Sequence, residues 1–541
     1  MNMIPTNKVA DKSDSYIDTV ANSLSKVALV RGPIVYASGS MNNEATPAIG
    51  LAYIAGYLKK HNYDPVIIDG IGEGLNKTWP LKDYPGFNGH GLTFDKIISN
   101  IPKDSKIIGF SGMFSGEWPV LRDLINEIRE NFPDALFIAG GEHVTALPEY
   151  SLRDCPALDV IVLGEGEKKI YELIKQYDTI GSHKDIYGTA YLDNGTYIQP
   201  PKSVVRKGEN INSPSRISDA NEIPWPYWPV GHLEKFWDAN KSFGVFTGRD
   251  MPFLLSRGCP YECTFCSNPI MYGNKYVLRD IDDVISEIKF YIEKYDITAI
   301  TLYDLTAITK KSWIVEFCKR LIKEDIKLNW SLPSGTRSEV LDAEVLELLK
   351  ITGCNYLVYA PESGSVETLK KIKKQVNLDN LTKSVVTAKA NKIITRINLI
   401  IGFPGESWYD IFKTFLFGFK MAFKGVDEVP LYLYSAYPGT ELYDGLVNDN
   451  QIELSDQYFL ALTRIGDHLA TNITGFNNSV NQRLLAITRT TFMITNYFIG
   501  YLFYPSRIYR TIKNLYLNNN AATVLENRLN DVYNKIKYKL S

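Results

Sequence analysis

Short apolar runs alternate with amphipathic stretches along most of the chain, and the alternation changes character three times. Runs over 27–30, 65–69, 106–111, 135–139 and 159–163 are apolar almost throughout, and helical periodicity fills 48–60 and 117–131 between them. Strands apolar on both faces belong to a parallel sheet covered on both sides. The pattern predicts an α/β, doubly wound, Rossmann-like domain over 27–200, with its ligand crevice at the carboxyl ends of the strands. Residues 201–245 break the rhythm. Ile223-Pro224-Trp225-Pro226-Tyr227-Trp228-Pro229 holds three prolines and should run extended as a strap between domains, its aromatics serving as packing anchors or as substrate contacts. A second βα series occupies 246–445, with strands expected at 252–256, 299–303, 328–331, 356–359, 396–401 and 428–434 and helices at 281–294, 312–322, 343–350 and 379–390. About six βα units suit a partial (β/α)6 barrel rather than a closed eightfold one. From 446 to 541 only helical patterning remains, which predicts a small helical carboxyl-terminal domain. Its apolar stretch 492–504 ends at Pro505, with Arg507, Arg510 and Lys513 beyond. That stretch falls short of the ~20 residues of a transmembrane helix. It reads either as a buried helix or as an interfacial one beside anionic lipid, which would give a peripheral membrane contact.

Composition narrows the function classes. A length of 541 residues holds about three domains of ~150 residues, and 45% hydrophobic content is enough for several cores. Lys and Arg number 59 against 61 Asp and Glu, a net charge of −2, which argues against a dedicated nucleic-acid binder. Residues 1–26 form a polar tail with Asp11, Asp14 and Asp18 and no apolar signal region, so a cytoplasmic location is expected. Six cysteines are too few for a disulfide scaffold of this length and fit a reducing compartment.

Three of the six cluster in Ser256-Arg257-Gly258-Cys259-Pro260-Tyr261-Glu262-Cys263-Thr264-Phe265-Cys266, just after a strand. A C-x3-C-x2-C loop brings three thiolates together, one short of a closed tetrahedral zinc site and one short of a four-cysteine iron–sulfur cluster. A cubane held this way keeps one iron open to a cosubstrate, and a zinc site recruiting a distant His or Cys is the alternative. Cys155, Cys318 and Cys354 have no partner at ligand spacing and read as small buried hydrophobes.

The loop, with Phe265 before its last cysteine, resembles the signature of radical S-adenosylmethionine enzymes. The resemblance implies that Cys259, Cys263 and Cys266 hold a [4Fe–4S] cluster whose open iron chelates S-adenosylmethionine, cleaved on reduction to methionine and a 5′-deoxyadenosyl radical. It extends to Leu332-Pro333-Ser334-Gly335-Thr336-Arg337 after the third strand, Pro361-Glu362-Ser363-Gly364-Ser365 after the fourth, Ile401-Gly402-Phe403-Pro404-Gly405-Glu406-Ser407 after the fifth, and the closing Tyr437-Pro438-Gly439-Thr440. It implies S-adenosylmethionine contacts from Phe265, Ser334, Glu362, Ser363, Asn398 and Gly402, at carboxyl strand ends where parallel barrels do their chemistry. Glu406 reads equally as a helix cap. Tyr303-Asp304-Leu305 departs from the paired aspartates many relatives carry.

The first domain resembles the cobalamin-binding domain that precedes the radical domain in one large subgroup. The match runs through Thr46-Pro47 and the following helix, Ser111-Gly112-Met113, Gly140-Gly141-Glu142-His143, and Gly164-Glu165-Gly166-Glu167. It implies cobalamin contacts from Thr46, Pro47, Ser111, Gly140, Gly141, Glu142, His143, Gly164, Glu165 and Gly166. The D-x-H-x-x-G loop that supplies a lower cobalt ligand is absent: Asp69-Gly70-Ile71-Gly72-Glu73-Gly74 stands in its place. His143 is expected to hydrogen-bond within its loop rather than ligate cobalt. A domain that kept the fold and lost the cofactor is the alternative.

Whole-chain order is similar to the branch containing the anaerobic magnesium-protoporphyrin IX monomethyl ester cyclase. The resemblance implies methylation of an unactivated carbon of a small-molecule substrate. Oxidative cyclisation or rearrangement of a tetrapyrrole-like or natural-product substrate is the alternative, and a non-catalytic corrinoid or iron–sulfur carrier or sensor a remote one. A one-electron donor such as flavodoxin or ferredoxin is implied, and no nucleic acid: a transfer-RNA methylthiotransferase would carry a basic carboxyl-terminal β-domain, which is not apparent here.

Overall fold

The computed structural model describes residues 24–38, 40, 45–200, 219–245, 247–466, 475–514 and 521–529 apart from 527. Segment 1–23 of the expected tail, 201–218 of the strap, and 467–474, 515–520 and 530–541 of the helical region lie outside the described residues.

Five parallel strands, β1 (Val27–Arg31), β2 (Val66–Asp69), β3 (Ile107–Ser111), β4 (Leu136–Gly140) and β5 (Val160–Val162), stack in the order β2-β1-β3-β4-β5. Strand order reverses between β1 and β3, the switch point of a doubly wound sheet. Alternation within each strand feeds two cores: Ala28, Ile108 and Phe137 enter one, Leu29, Ile107 and Leu136 the other. An antiparallel hairpin, Thr189–Asp193 and Thr196–Ile198, extends the sheet beyond β5. Ile34–Ala37, Thr78–Pro80 and Phe87–His90 form a separate antiparallel sheet. Neither addition is foreseen by the hydrophobic pattern, because strands of three to five residues carry too little periodicity and most of these, unlike the parallel strands, have no continuous apolar run.

The second sheet holds β6 (Asp250–Phe253), β7 (Ala299–Leu302), β8 (Asn329–Thr336), β9 (Cys354–Glu362), β10 (Ile394–Ile401) and β11 (Leu431–Leu433), all parallel and in chain order. Among the described residues β6 and β11 each have one strand partner, so the arc stays open, as a partial barrel requires. β8 runs through Pro333-Ser334-Gly335 with shifted register, so Ser334 lies inside the strand rather than after it.

From residue 219 the strap is extended only in part. Its backbone docks on the first domain, with Tyr227 N donating to Ala52 O at 2.9 Å. It then forms a helix, His232–Asp238, that the prolines do not announce. Trp228, Leu233 and Trp237 pack into the barrel core as anchors. A Cβ on Gly56 would stand 2.5 Å from Trp225 O, so this close approach needs glycine.

The helical region shares both cores. Phe459, from Asp456–Leu462, enters the core of the first sheet. Helices α1 (Trp408–Phe423) and α2 (Gln482–Phe503) pack side by side, Phe492 of α2 stacking on Phe415 at 5.1 Å, and α3 (Ser506–Lys513) follows. No helix among the described residues is long and apolar enough to cross a membrane.

Gly56→Ala is expected to lower stability by about 1–3 kcal/mol through overpacking against the strap. Gly50→Ala in the same helix, where a Cβ meets nothing within 4 Å, is expected to leave stability unchanged or raise it. Paired thermal melts check the contrast.

Candidate active site

The cysteine loop is held from four directions. Ser256–Arg257 pairs antiparallel with Val277–Leu278 at its entry. Just beyond β7, Asp304 accepts Leu255 N at 3.1 and 3.0 Å through its two oxygens, and Ser256 Oγ at 2.5 Å. This carboxylate, pushed up to about 6 by burial, braces the turn into the loop. Inside the loop Cys266 N donates to Cys263 O at 3.1 Å, Thr264 N to Ile372 O at 3.1 Å, and Leu442 N to Thr264 O at 3.0 Å. Cys259, Cys263 and Cys266 are half-buried, whereas Cys155, Cys318 and Cys354 are buried. No three His, Cys, Asp or Glu side chains among the described residues form a single-ion site. Thr264 Oγ1 and Asn268 Oδ1, buried without a hydrogen-bond partner, flank the cysteines.

At the carboxyl edge of the first sheet the expected residues converge. Ser111 ends β3 beside Gly140 of β4. Gly141 takes φ +121° with its Cβ position 2.6 Å from Gly112 O, a conformation and an approach that exclude any side chain. Gly164 N donates to Thr145 Oγ1 at 3.1 Å, joining the Gly164–Gly166 loop to the short helix Glu142–Ala146. Arg31, at the end of β1, donates to Thr46 O at 2.6 Å and fixes the Thr46-Pro47 turn beside the switch point. Met113 and Phe114, 39% and 57% exposed, offer apolar surface at the same edge, a fit for a large planar cofactor.

His143 does not join them. Its ring is buried between Trp118 and Phe459, with Nδ1 3.0 Å from Ser115 Oγ and Nε2 3.5 Å from Ser151 Oγ. Burial lowers it to about 3, so it is neutral, and both ring nitrogens are spent inside the fold. Glu142 and Glu165 also turn toward protein. Ser267 Oγ donates to Glu142 Oε1 at 2.5 Å. Arg257 Nη2 lies 2.7 Å from Glu167 Oε1 and Nη1 3.7 Å from Glu165 Oε1, with the guanidinium over the Tyr53 ring at 4.6 Å. The cysteine loop is therefore gripped at both ends by the first domain.

The residues expected at S-adenosylmethionine divide in the same way. Glu362 ends β9 at φ +69°, a rare conformation for a side-chain-bearing residue. Lys374 Nζ lies 2.9 Å from its Oε1, in a pair almost wholly buried. Phe265 packs 5.7 Å from Phe403, and Gly402 takes φ +84° at the end of β10. Asn398 faces the barrel lumen and accepts from Arg396 Nε at 2.9 Å, while Arg396 Nη2 bonds Tyr432 OH. Ser363 is buried scaffold: its hydroxyl is shared with Thr414 at 2.9 Å and accepts Ser365 N at 3.0 Å. Glu406 is no helix cap, a task Ser407 performs; it braces its loop by accepting Gly402 N at 2.6 Å and Thr368 Oγ1 at 3.1 Å. Arg257, Lys374 and Arg396 escaped sequence reasoning, for each has a partner distant in the chain that no local pattern reports, Glu167, Glu362 and Tyr432 respectively.

Arg257→Met removes the cation that buried Glu165 and Glu167 face, and is expected to cost about 3–5 kcal/mol in a thermal or denaturant melt. Burial raises the Cys263 thiol and pushes Cys266 up to about 12. Iron must displace those protons, so uptake of iron and sulfide by metal-free protein should rise from neutral to mildly alkaline pH. Absorbance of the reconstituted cluster follows it.

The radical SAM superfamily model matches residues 253–417 and the B12 binding domain model residues 43–174. An uncharacterized methyltransferase of Pyrococcus horikoshii is 28% identical over 428 residues, covering 79% of this chain and 84% of its own. The anaerobic magnesium-protoporphyrin IX monomethyl ester cyclase of Rubrivivax gelatinosus is 24% identical over 419 residues, 76% of this chain and 68% of its own. The solved radical S-adenosylmethionine methyltransferase TsrM of Kitasatospora setae, with cobalamin and a [4Fe–4S] cluster bound, shares the fold at TM-score 0.59 and 15% identity over 79% of this chain and 75% of that one. The two family matches fall in chain order on the two sheets just described, and the chain belongs to the radical SAM superfamily in its cobalamin-dependent form, an enzyme whose cofactors are a [4Fe–4S] cluster, S-adenosylmethionine and cobalamin.

Proposed function

We propose that this enzyme methylates an unactivated carbon of a small-molecule substrate held between the two carboxyl edges. The observation that carries the reading is the double grip of the first domain on the cysteine loop, Arg257 on Glu167 and Ser267 on Glu142, which keeps the two cofactor loops against one crevice. When bound, the cofactors supply a 5′-deoxyadenosyl radical and a transferable methyl group. The protein's own part is to hold and shield them. Cys259, Cys263 and Cys266 bind the cluster as thiolates. Glu362, its charge balanced by Lys374, accepts hydrogen bonds from the ammonium or ribose hydroxyls of S-adenosylmethionine. Met113 and Phe114 would offer apolar contact to the cobalamin, and His143, spent inside the fold, would not be free to serve it as a ligand. Arg396, Asn398 and Tyr432 line the lumen, where they orient polar groups of the substrate. Exposed Lys370, Lys371 and Lys373 flank Ile372, whose carbonyl binds the cysteine loop, and they suit an acidic one-electron donor of flavodoxin or ferredoxin type in a reducing cytoplasm.

The similarity to the cyclase favours oxidative cyclisation as a second reading. One experiment separates the readings: reconstituted protein, reductant and S-adenosylmethionine carrying a deuterated methyl group are incubated anaerobically with extract of cells lacking the protein. A metabolite that gains the labelled methyl supports methylation. Loss of two hydrogens without label supports cyclisation, and absence of 5′-deoxyadenosine would reduce the chain to a carrier. Cys263→Ala is expected to abolish both label transfer and 5′-deoxyadenosine release.

A further inference from the structure

Helices α1 and α2 carry a surface that neither cofactor domain uses. On α1, Phe412 and Leu416 stand one turn apart and are 54% and 53% exposed. On α2, Ile487, Ile494, Phe498 and Leu502 recur at helical spacing and are 55%, 66%, 65% and 60% exposed. The two helices lie side by side, and Phe423 meets Phe503 at 5.0 Å where their exposed rows join. Exposed apolar rows of this extent mark an interaction surface.

Its charges indicate which kind. No Asp or Glu occurs from 482 to 514. The one carboxylate of α1, Asp410, is buried and accepts from Ser365 Oγ at 2.7 Å and Ser407 Oγ at 2.6 Å. Lys420, Lys424, Arg483 and Lys513 are exposed around the apolar rows. A second copy of the chain would be a poor occupant, because a two-fold interface sets the same rim against itself and brings cations to cations. An apolar face on two helices whose exposed charged residues are all cationic matches anionic headgroups over an acyl layer.

We propose that α1 and α2 form a peripheral docking surface for an anionic lipid bilayer, lying in its interface. The inference is independent of the chemistry of the cofactor crevice. It is tested by floating the full-length reconstituted protein with vesicles of phosphatidylcholine alone and of phosphatidylcholine mixed with phosphatidylglycerol. The protein should float with the mixed vesicles and be released by raised salt. Lys420→Glu with Lys424→Glu should weaken that binding about tenfold or more. Phe498→Glu should abolish it, with 5′-deoxyadenosine formation and the thermal melt unchanged, since the side chain is exposed. No flotation with either vesicle would overturn the proposal, as would equal binding by wild type and both variants. So would a concentration-dependent dimer that Phe498→Glu disperses.

Discussion

Arg257 is the residue on which the two halves depend. Its guanidinium is taken out of water between Glu165 and Glu167 of the first domain and the Tyr53 ring, two residues before the first cysteine of the loop. A buried ion pair gains little over apolar packing in stability, because desolvation offsets most of its attraction. What it supplies is position. A crevice that must admit large cofactors cannot be closed with hydrophobic side chains, so its walls are aligned by a few directional contacts around the rim. Arg257 fixes one end of the cysteine loop and Ser267, on Glu142, fixes the other. The cluster site thus inherits its place from the first domain as much as from the barrel strand that precedes it.

Behind the polar grip the core is continuous. Phe403, Tyr434 and Ala436, from the carboxyl end of the barrel, share a hydrophobic cluster with Phe110, Phe137 and Val144 of the first sheet. The loops that approach the cofactors are therefore backed by rigid packing on both sides. The pKa directions follow from this dryness: burial lifts Asp304 and Glu406 and lowers His143, and each is stabilised by hydrogen bonds rather than by water.

The parts legible in the sequence were those whose signal is local. Apolar runs located the parallel strands because both faces of each strand are buried, and the C-x3-C-x2-C spacing picked out the one group of half-exposed cysteines. Motif residues were harder, because a motif records that a residue type is needed and not which neighbour it serves. Glu165 and Glu142 sit where the resemblance puts them yet face Arg257 and Ser267; Ser363 and Glu406 hold their own loops. Arg257, Lys374 and Arg396 have partners 12 to 90 positions away or on another strand, and no periodicity reports such a pairing. The short antiparallel strands and the interior half of β8 were hidden for another reason. Three to five residues without a continuous apolar run hold no clear period, and a strand lining a lumen need not be apolar there.

The helical tail shows how an open barrel is finished. Six strands leave β11 without an outer strand among the described residues, and α2 lies against it with Leu485, Ala486 and Phe492 in the barrel core. Near the amino ends of β9 and β10, Val524 packs on Tyr356 and Val358, and Glu428 accepts Val524 N at 3.1 Å and Leu525 N at 2.8 Å, capping the last described turn. The tail is thus part of the barrel. Because the inner face of α2 is committed to that task, by Asn496 Nδ2 on Gly418 O at 3.1 Å as well as by Phe492, the helix cannot rotate to hide its outer row. Among the described residues, the apolar side chains on that row are therefore exposed as a consequence of how the barrel is closed.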